Sequence, residues 1–376
     1  MFTLQDAATQ IDDLLDKMAE QLQLDDTRYD RMKSSYQAIK DWIEADPVFF
    51  KPFKYDVYPH GSVRTLTTVK PWGKDEFDLD IAIHLVSALS AHTPERIYNE
   101  LKRRLGEHER YKGMMELKNR CIRLNYAGDF HMDILPGVQE FPYDNNRLKV
   151  PDRERKTWVS SNPRGYAAWF MAKANMVRES LLEKAMRAEN LPADNFKHKK
   201  PLQRAVQLIK RYRDVYFQKD DTYKTSSIIL TTLAGQLYNG EESIFATVEN
   251  IITAIRSQVT MAGIRRIKVL NPVNAQEDFT DKWDAEPNYY TAFKNFCEHL
   301  YDEWLLLKKR QGVLNEGRVL GDLFGSDILI KAQTAQTLLL EKQRNAQQLG
   351  MDRKTGILGK VAAGTTVVKP NTFFGQ

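Results

Sequence analysis

Two aspartates two residues apart, Asp78 and Asp80, stand in the run Phe77-Asp78-Leu79-Asp80-Ile81. In a β-strand, side chains at i and i+2 point to one face. This spacing sets two carboxylates side by side, and their mutual repulsion calls for a cation. The flanking Phe77, Leu79 and Ile81 supply an apolar opposite face. Hard oxygen ligands facing a phosphate substrate select magnesium or manganese. Asp133, in His131-Met132-Asp133-Ile134, would add a third carboxylate and complete a two-metal site. One metal would hold a triphosphate. The other would lower the pKa of a ribose hydroxyl, whose proton Asp133 would take as general base. Plainer readings stand beside these. A lone Asp-x-Asp is most often the polar edge of an exposed strand, and Asp133 is equally accounted for by an ion pair with Arg120 or Arg123.

Gly61-Ser62 adds a phosphate cradle. Backbone N–H groups at a strand-to-helix turn point at anions, glycine allows a close approach, and the serine hydroxyl adds a donor. Arg64, just after it, is a further candidate for phosphate, or an exposed helix residue. Alone, Gly-Ser is only a turn. The order strand, Gly-Ser, helix, strand with Asp-x-Asp, strand with Asp is far more specific than any of its parts.

The elements that must position these groups follow from periodicity. Leu4, Ile11, Leu14, Leu15 and Met18 recur at helical spacing with Thr3 as N-cap, and a second helical pattern covers about Arg28 to Ala45. The run containing Phe53, Tyr55, Val57 and His60 predicts a strand ending at Gly61-Ser62, with a short helix over Ser62–Val69. After a turn at Pro71–Gly73, Phe77–Leu85 alternates as a second strand. Pro94–Leu105 is helical, with Pro94 near its first turn. Cys121–Tyr126 and Phe130–Leu135 read as strands joined by a hairpin at Ala127-Gly128-Asp129. From about Asn162 onward the pattern is almost all helical, over Pro201–Phe217, Ser226–Tyr238, Glu242–Met261, Tyr289–Gln311 and Ser326–Leu349. The last 20 or so residues lack periodicity and read as a mobile tail.

Composition narrows the class. The 376 residues suit two lobes. Hydrophobic residues at 42% and charged residues at 28% are ordinary for a soluble globular chain. No apolar run approaches a membrane-spanning length, and MFTLQDAATQ carries no export signal, so a cytoplasmic, non-membrane protein is expected. Cys121 and Cys297 read as free thiols. A formal net charge of +5 suits an anionic ligand such as a nucleotide but falls short of the basic stripe of a polymer binder.

The ordered motifs resemble the polymerase-β-like nucleotidyltransferase superfamily, with its h-G-[GS], h-[DE]-h-[DE]-h and later h-[DE]-h signature. Within it the chain is similar to the bacterial cGAS/DncV-like nucleotidyltransferases, or CD-NTases. HGSVRTLT, DEFDLDIAI, HMDILPGV, SNPRGYAAWF, KPLQRAVQLIKRYRD, SSIILTTLAG and NPVNAQEDFTDKW carry the likeness, from about residue 1 to about 345. The gap between Ser62 and Asp78 is longer than the superfamily's usual spacing, and an insert at Lys70–Lys74 absorbs it. The resemblance implies an α+β fold. A polymerase-β-like lobe with a mixed sheet and N-terminal helices would span residues 1–160, an oligoadenylate-synthetase-like helical lobe 161–349, and a flexible tail 350–376. It implies that Gly61 and Ser62 hold the donor triphosphate, that Asp78 and Asp80 bind both metals, Mg2+ or Mn2+, and that Asp133 completes the second metal site. Lys210 and Ser227 match family positions that contact the triphosphate. From the residues alone, Lys210 is as well read as a solvent-facing lysine, and Ser227 as a helix N-cap. Tyr166 and Tyr212 are candidates to stack on a base, although most such aromatics are core.

The activity so implied is synthesis of a cyclic di- or trinucleotide second messenger from ATP and other nucleoside triphosphates, in bacterial antiphage defence. The alternatives are a terminal nucleotidyltransferase acting on RNA or a small molecule, a maker of linear oligoadenylate, and a non-catalytic nucleotide- or RNA-binding scaffold. The missing Cys/His cluster of a zinc-thumb and the mild charge argue against a nucleic-acid activator. Thr372-Phe373-Phe374-Gly375 resembles an anchor gripped by a ubiquitin-transfer-like enzyme, although Gln376 and not glycine stands last.

Overall fold

The computed structural model of the chain describes residues 4–73, 76–126, 128–176, 198–309, 312–353, 358–361 and 365–369. Thr3 and the Thr372–Gly375 motif lie outside the described residues. Two helices open the chain, α1 (Leu4–Gln21) and α2 (Asp26–Glu44). The Asp25 carboxylate caps α2 by accepting from the Arg28 N–H at 2.9 Å. Then come β1 (Lys54–Pro59), α3 (Gly61–Thr65) and β2 (Phe77–Val86). The predicted helix over Ser62–Val69 stops at Thr65, because Leu66 takes a left-handed φ of 58°. The helices α4 (Pro94–Gly106), capped by Thr93, and α5 (Glu109–Met114) lead to β3 (Met115–Leu117) and β4 (Ile122–Tyr126). The sheet continues with β5 (Phe130–Phe141), β6 (Asp144–Asp152) and β7 (Thr157–Ser161). The last two are not anticipated in the sequence reading, where the polar run of Asp144–Lys149 hides the alternation.

The seven strands form one mixed sheet in the order β1-β2-β5-β4-β3, with β6 on β5 and β7 on β6. β1 runs antiparallel to β2, while β2 and β5 are parallel in a register that pairs Asp78 with His131 and Asp80 with Asp133. β4 is antiparallel to β5 and sets Arg123 opposite Asp133. One row across three strands therefore reads Arg123, Asp133, Asp80. On the other face Leu79, Ile81, Ile83 and Leu85 are fully buried in a core shared with α2, α4 and α5. Each such side chain contributes about 1.5–3 kcal/mol on burial.

The helical part comprises α6 (Pro163–Ala174), α7 (Pro201–Tyr216), α8 (Ser227–Leu237) and α9 (Ile244–Ala262). A small hairpin of β8 (Leu270–Asn271) and β9 (Asn274–Asp278) interrupts the helices that the sequence reads as nearly continuous. Then follow α10 (Lys282–Ala285), α11 (Asn288–Lys308), α12 (Val313–Phe324) and α13 (Ser326–Asn345). These helices share a second core, which also takes Leu15, Met18 and Leu22 from α1 and its end. The sequence reading carries a helix to Leu349 and a mobile tail beyond it; this is corrected, because α13 stops at Asn345 and β10 (Leu349–Asp352), β11 (Leu358–Lys360) and β12 (Thr365–Val367) form a three-stranded sheet with β10 in the middle.

α7 joins the two parts through a polar stripe. Gln203, Gln207, Lys210 and Arg211 lie at helical i, i+4, i+7 and i+8 spacing, on one face. They donate to the main-chain oxygens of Thr65 (3.0 Å), Thr68 (2.6 Å), Thr67 (2.9 Å) and Lys70 (2.8 Å) respectively. All four side chains are buried. The segment after α3 has no strand partner here, so these side chains satisfy carbonyls that would otherwise be buried without donors.

Candidate active site

The short loop between β1 and α3 turns at Gly61, whose φ of 59° favours glycine. The His60 N–H bonds the Asp80 carbonyl at 2.8 Å and fixes this turn to the middle of β2. The Ser62 hydroxyl lies 3.2 Å from that of Thr68. Gly61, Ser62, Asp78, Asp80, Lys210 and Ser227 all line one cavity of about 920 Å3, within the size range of nucleotide and cofactor sites. Six of the eight predicted site residues thus meet in one place.

Two do not line it. Arg64 lies two residues beyond Ser62 in α3, about 200° round the helix axis, which turns it away from the cavity; this corrects the expectation that it faces phosphate there. Asp133 shares the sheet face of Asp78 and Asp80, but Arg123 covers it. The Arg123 guanidinium donates to both carboxylate oxygens, Nε at 2.7 Å and Nη2 at 2.8 Å, and reaches Asp78 Oδ1 at 3.2 Å. Of the two arginines considered as partners of Asp133, Arg120 instead bonds the buried Asp152 at 2.9 Å.

The electrostatics of the trio are uneven. Burial, then Asp78 and Asp133, push the Asp80 carboxyl up to about 8. No hydrogen bond or ion pair to its carboxylate is found among the described residues, whereas Asp133 is held by a bidentate cation. The hydrogen bonds to Asp133 in turn raise the Arg123 guanidinium further above its already high range. Two acidic oxygen donors side by side, one of them half-buried and without a cation, fit a hard divalent ion. With Asp133 turned onto Arg123, no group of three His, Cys, Asp or Glu among the described residues is gathered closely enough to hold a metal.

Lys210 is buried, and the expectation of a solvent-facing lysine is corrected. Burial and the nearby Arg213 lower its ammonium to about 8. Ser227 is the first residue of α8; its neighbour Ser226 holds the N-cap position. Tyr166 lines the cavity and bonds Thr232 at 3.0 Å, while Tyr212 is core, bonded to Phe296 and His299.

The cavity also gathers residues not singled out in the sequence. His131 stands between Glu76 (3.0 Å) and Asp78 (3.5 Å), and its place two residues before Asp133 was the available signal. Asp214 pairs with Arg213 at 2.6 Å and Lys224 at 3.0 Å. On β7, β8 and β9, Ser161, Asn271 and Glu277 form a polar wall, with Ser161 and Asn271 donating to Glu277 at 3.1 and 2.7 Å. A deep cavity with clustered carboxylates, a buried lysine and a glycine turn can hold a nucleoside triphosphate, its cation and an acceptor.

Residues 10–175 match the Second Messenger Oligonucleotide or Dinucleotide Synthetase domain. Over the full length of both chains the protein is 40% identical to the c-di-GMP synthase of Roseivirga ehrenbergii. It is 23% identical to the cyclic dinucleotide synthase CdnG of Bradyrhizobium diazoefficiens, across 93% of this chain and 89% of that one. The solved structure of the Bradyrhizobium diazoefficiens CD-NTase CdnG in complex with GTP superposes with a TM-score of 0.70 at 21% identity, over 87% of this chain and 99% of that one. That likeness speaks to the fold, an α+β architecture with a mixed sheet.

Proposed function

Since the chain belongs to the bacterial cGAS/DncV-like nucleotidyltransferases and is a synthase of cyclic oligonucleotides, we propose that it joins two GTP molecules into cyclic di-GMP at the cavity described above. The guanine assignment draws on the relative that shares 40% of its sequence and bears that name. The observation that carries the site assignment is the β2–β5 register, which sets Asp78, Asp80 and Asp133 on one face beside Gly61.

In this reading Gly61 and Ser62 hold the donor triphosphate. Asp78, Asp80 and Asp133 would hold magnesium or manganese, which when bound offsets phosphate charge and acidifies the attacking hydroxyl. Asp133 accepts the ribose proton of the acceptor. The ribose oxygen bonds the α-phosphorus, the bond to pyrophosphate breaks, and Lys210 and Ser227 hold the departing charge. The linear intermediate re-enters, and its free ribose hydroxyl bonds the α-phosphorus of its own remaining triphosphate, releasing a second pyrophosphate and closing the ring. Residues 1–160 supply the catalytic lobe, apart from α1, which packs with the helices; 161–349 supply the helical lobe, and the residues after β12 are offered to a ubiquitin-transfer-like partner. The reaction runs in the bacterial cytoplasm, where triphosphates are supplied, as part of antiphage signalling.

The test is incubation of purified protein with all four labelled triphosphates and Mg2+, followed by phosphatase and mass spectrometry. The expected product is phosphatase-resistant, contains guanine alone, and is lost in Asp78→Asn while that variant stays folded. A product that needs added RNA would replace this reading with terminal transfer. A product containing adenine would overturn the guanine assignment.

A further inference from the structure

Arg123 lines the cavity and Asp133 does not. The antiparallel register of β4 and β5 builds this in, because Arg123 and Asp133 are directly opposed. The contact is a two-pronged one: Nε and Nη2 take one carboxylate oxygen each, and the second prong also reaches Asp78. Such fork pairs are among the strongest that side chains make. The arginine is mostly shielded, with its side chain 21% exposed against 17% for Asp133, so solvent screens the pair only in part.

The same two carboxylates are those that the reading above assigns to a divalent ion. With both oxygens of Asp133 already accepting from the Arg123 guanidinium, a divalent ion must compete with that fork for the same oxygens and the same negative charge. A triphosphate arriving in the cavity changes the balance, because phosphate oxygens offer Arg123 another bidentate acceptor. We infer that Arg123 is a positioning residue that occludes Asp133 until nucleotide binds, so that the acidic trio is completed only around a loaded substrate. This rests on the reading of Asp78, Asp80 and Asp133 as metal ligands. The coupling is reciprocal: whatever factor nucleotide adds to ion affinity, the ion adds to nucleotide affinity.

The experiment titrates Mn2+ into the full chain and reads free ion by electron paramagnetic resonance, with and without the α,β-methylene analogue of GTP. Wild type, Arg123→Gln and Arg123→Lys are compared. Arg123→Lys keeps the charge and loses the fork, which also guards against a variant that fails to fold. Without nucleotide, Arg123→Gln should bind Mn2+ about 10-fold more tightly, within the range of ordinary coupling, and Arg123→Lys by a smaller factor. The gain that the analogue brings should shrink by the same factors. Affinities in Arg123→Gln equal to or weaker than wild type would overturn the inference. So would Arg123→Lys matching wild type, which would reduce the effect to charge alone. Absence of Mn2+ binding in all three, analogue present, would overturn the metal-ligand reading and the inference with it.

Discussion

Gly61 and Asp80 share space that no side chain at position 61 could enter: a Cβ there would lie 2.1 Å from Asp80 Oδ2 and 2.9 Å from its Cγ. The left-handed φ adds a second penalty. Gly61→Ala should cost about 1–2 kcal/mol in strain. By displacing Asp80 roughly 1 Å it should lower turnover about 100-fold. Thermal midpoints and initial rates of product formation check both, and a variant with wild-type turnover would show that the turn does not hold the carboxylate.

Asp80 is a half-buried carboxylate with two acidic neighbours and no cation bonded to it among the described residues. Asp80→Asn removes the repulsion and keeps the shape. In chelator the variant should be more stable than wild type, on the order of 1–3 kcal/mol after solvent screening, and it should make no product. Denaturant titration with parallel assays gives both numbers. A destabilised variant would mean that the carboxylate has a structural partner.

Lys210 titrates near 8 in the substrate-free cavity, so its cation is present below that pH and lost above it. Affinity for the α,β-methylene analogue of GTP should fall as pH rises from 7 to 9. Binding near pH 8 should take up a proton, because the triphosphate favours the charged amine. Calorimetry in buffers of different ionisation enthalpy measures this uptake. Lys210→Gln should flatten the pH dependence, and an unchanged slope would assign it to another group.

Gln207 is fully buried and donates to the Thr68 carbonyl at 2.6 Å. Gln207→Leu leaves that oxygen without this donor and should cost about 1–3 kcal/mol. Because Thr68 also touches Ser62, KM for triphosphate should rise as well. Steady-state kinetics beside thermal melts would separate this outcome from simple loss of stability.

How much of this was legible followed from how local each signal is. The shared face of Asp78 and Asp80 needs only strand periodicity, and Gly61-Ser62 needs only a turn, so both stand in the sequence. The neighbourhood of Asp133 depends on the β2–β5 register, which joins segments 53 residues apart in pairing Asp78 with His131, and no local pattern encodes it. Arg123 was visible as a partner of Asp133 but not as a wall of the cavity. Lys210 misled because a polar residue on a helix normally faces water, and Gln203, Gln207 and Arg211 beside it were not singled out; the partners of all four are main-chain oxygens, which have no side-chain signature. Arg64 misled because nearness to Gly61-Ser62 in sequence does not fix direction: two residues on from Ser62 in α3 a side chain points to the other side of the helix.

The α7 stripe also sets when the cavity can exist during synthesis. Its four bonds to the segment after Ser62 span 138 to 143 residues. A nascent chain that has emerged through β7 already carries Gly61 and all three aspartates. It still lacks the helix that satisfies the carbonyls of Thr65, Thr67, Thr68 and Lys70. Contacts of such long range form late, so the sheet must wait for α7 before the glycine turn is held in place. A product of interrupted translation ending before residue 200 therefore has the acidic residues without the assembled pocket, and signal output is confined to chains whose second half has been made.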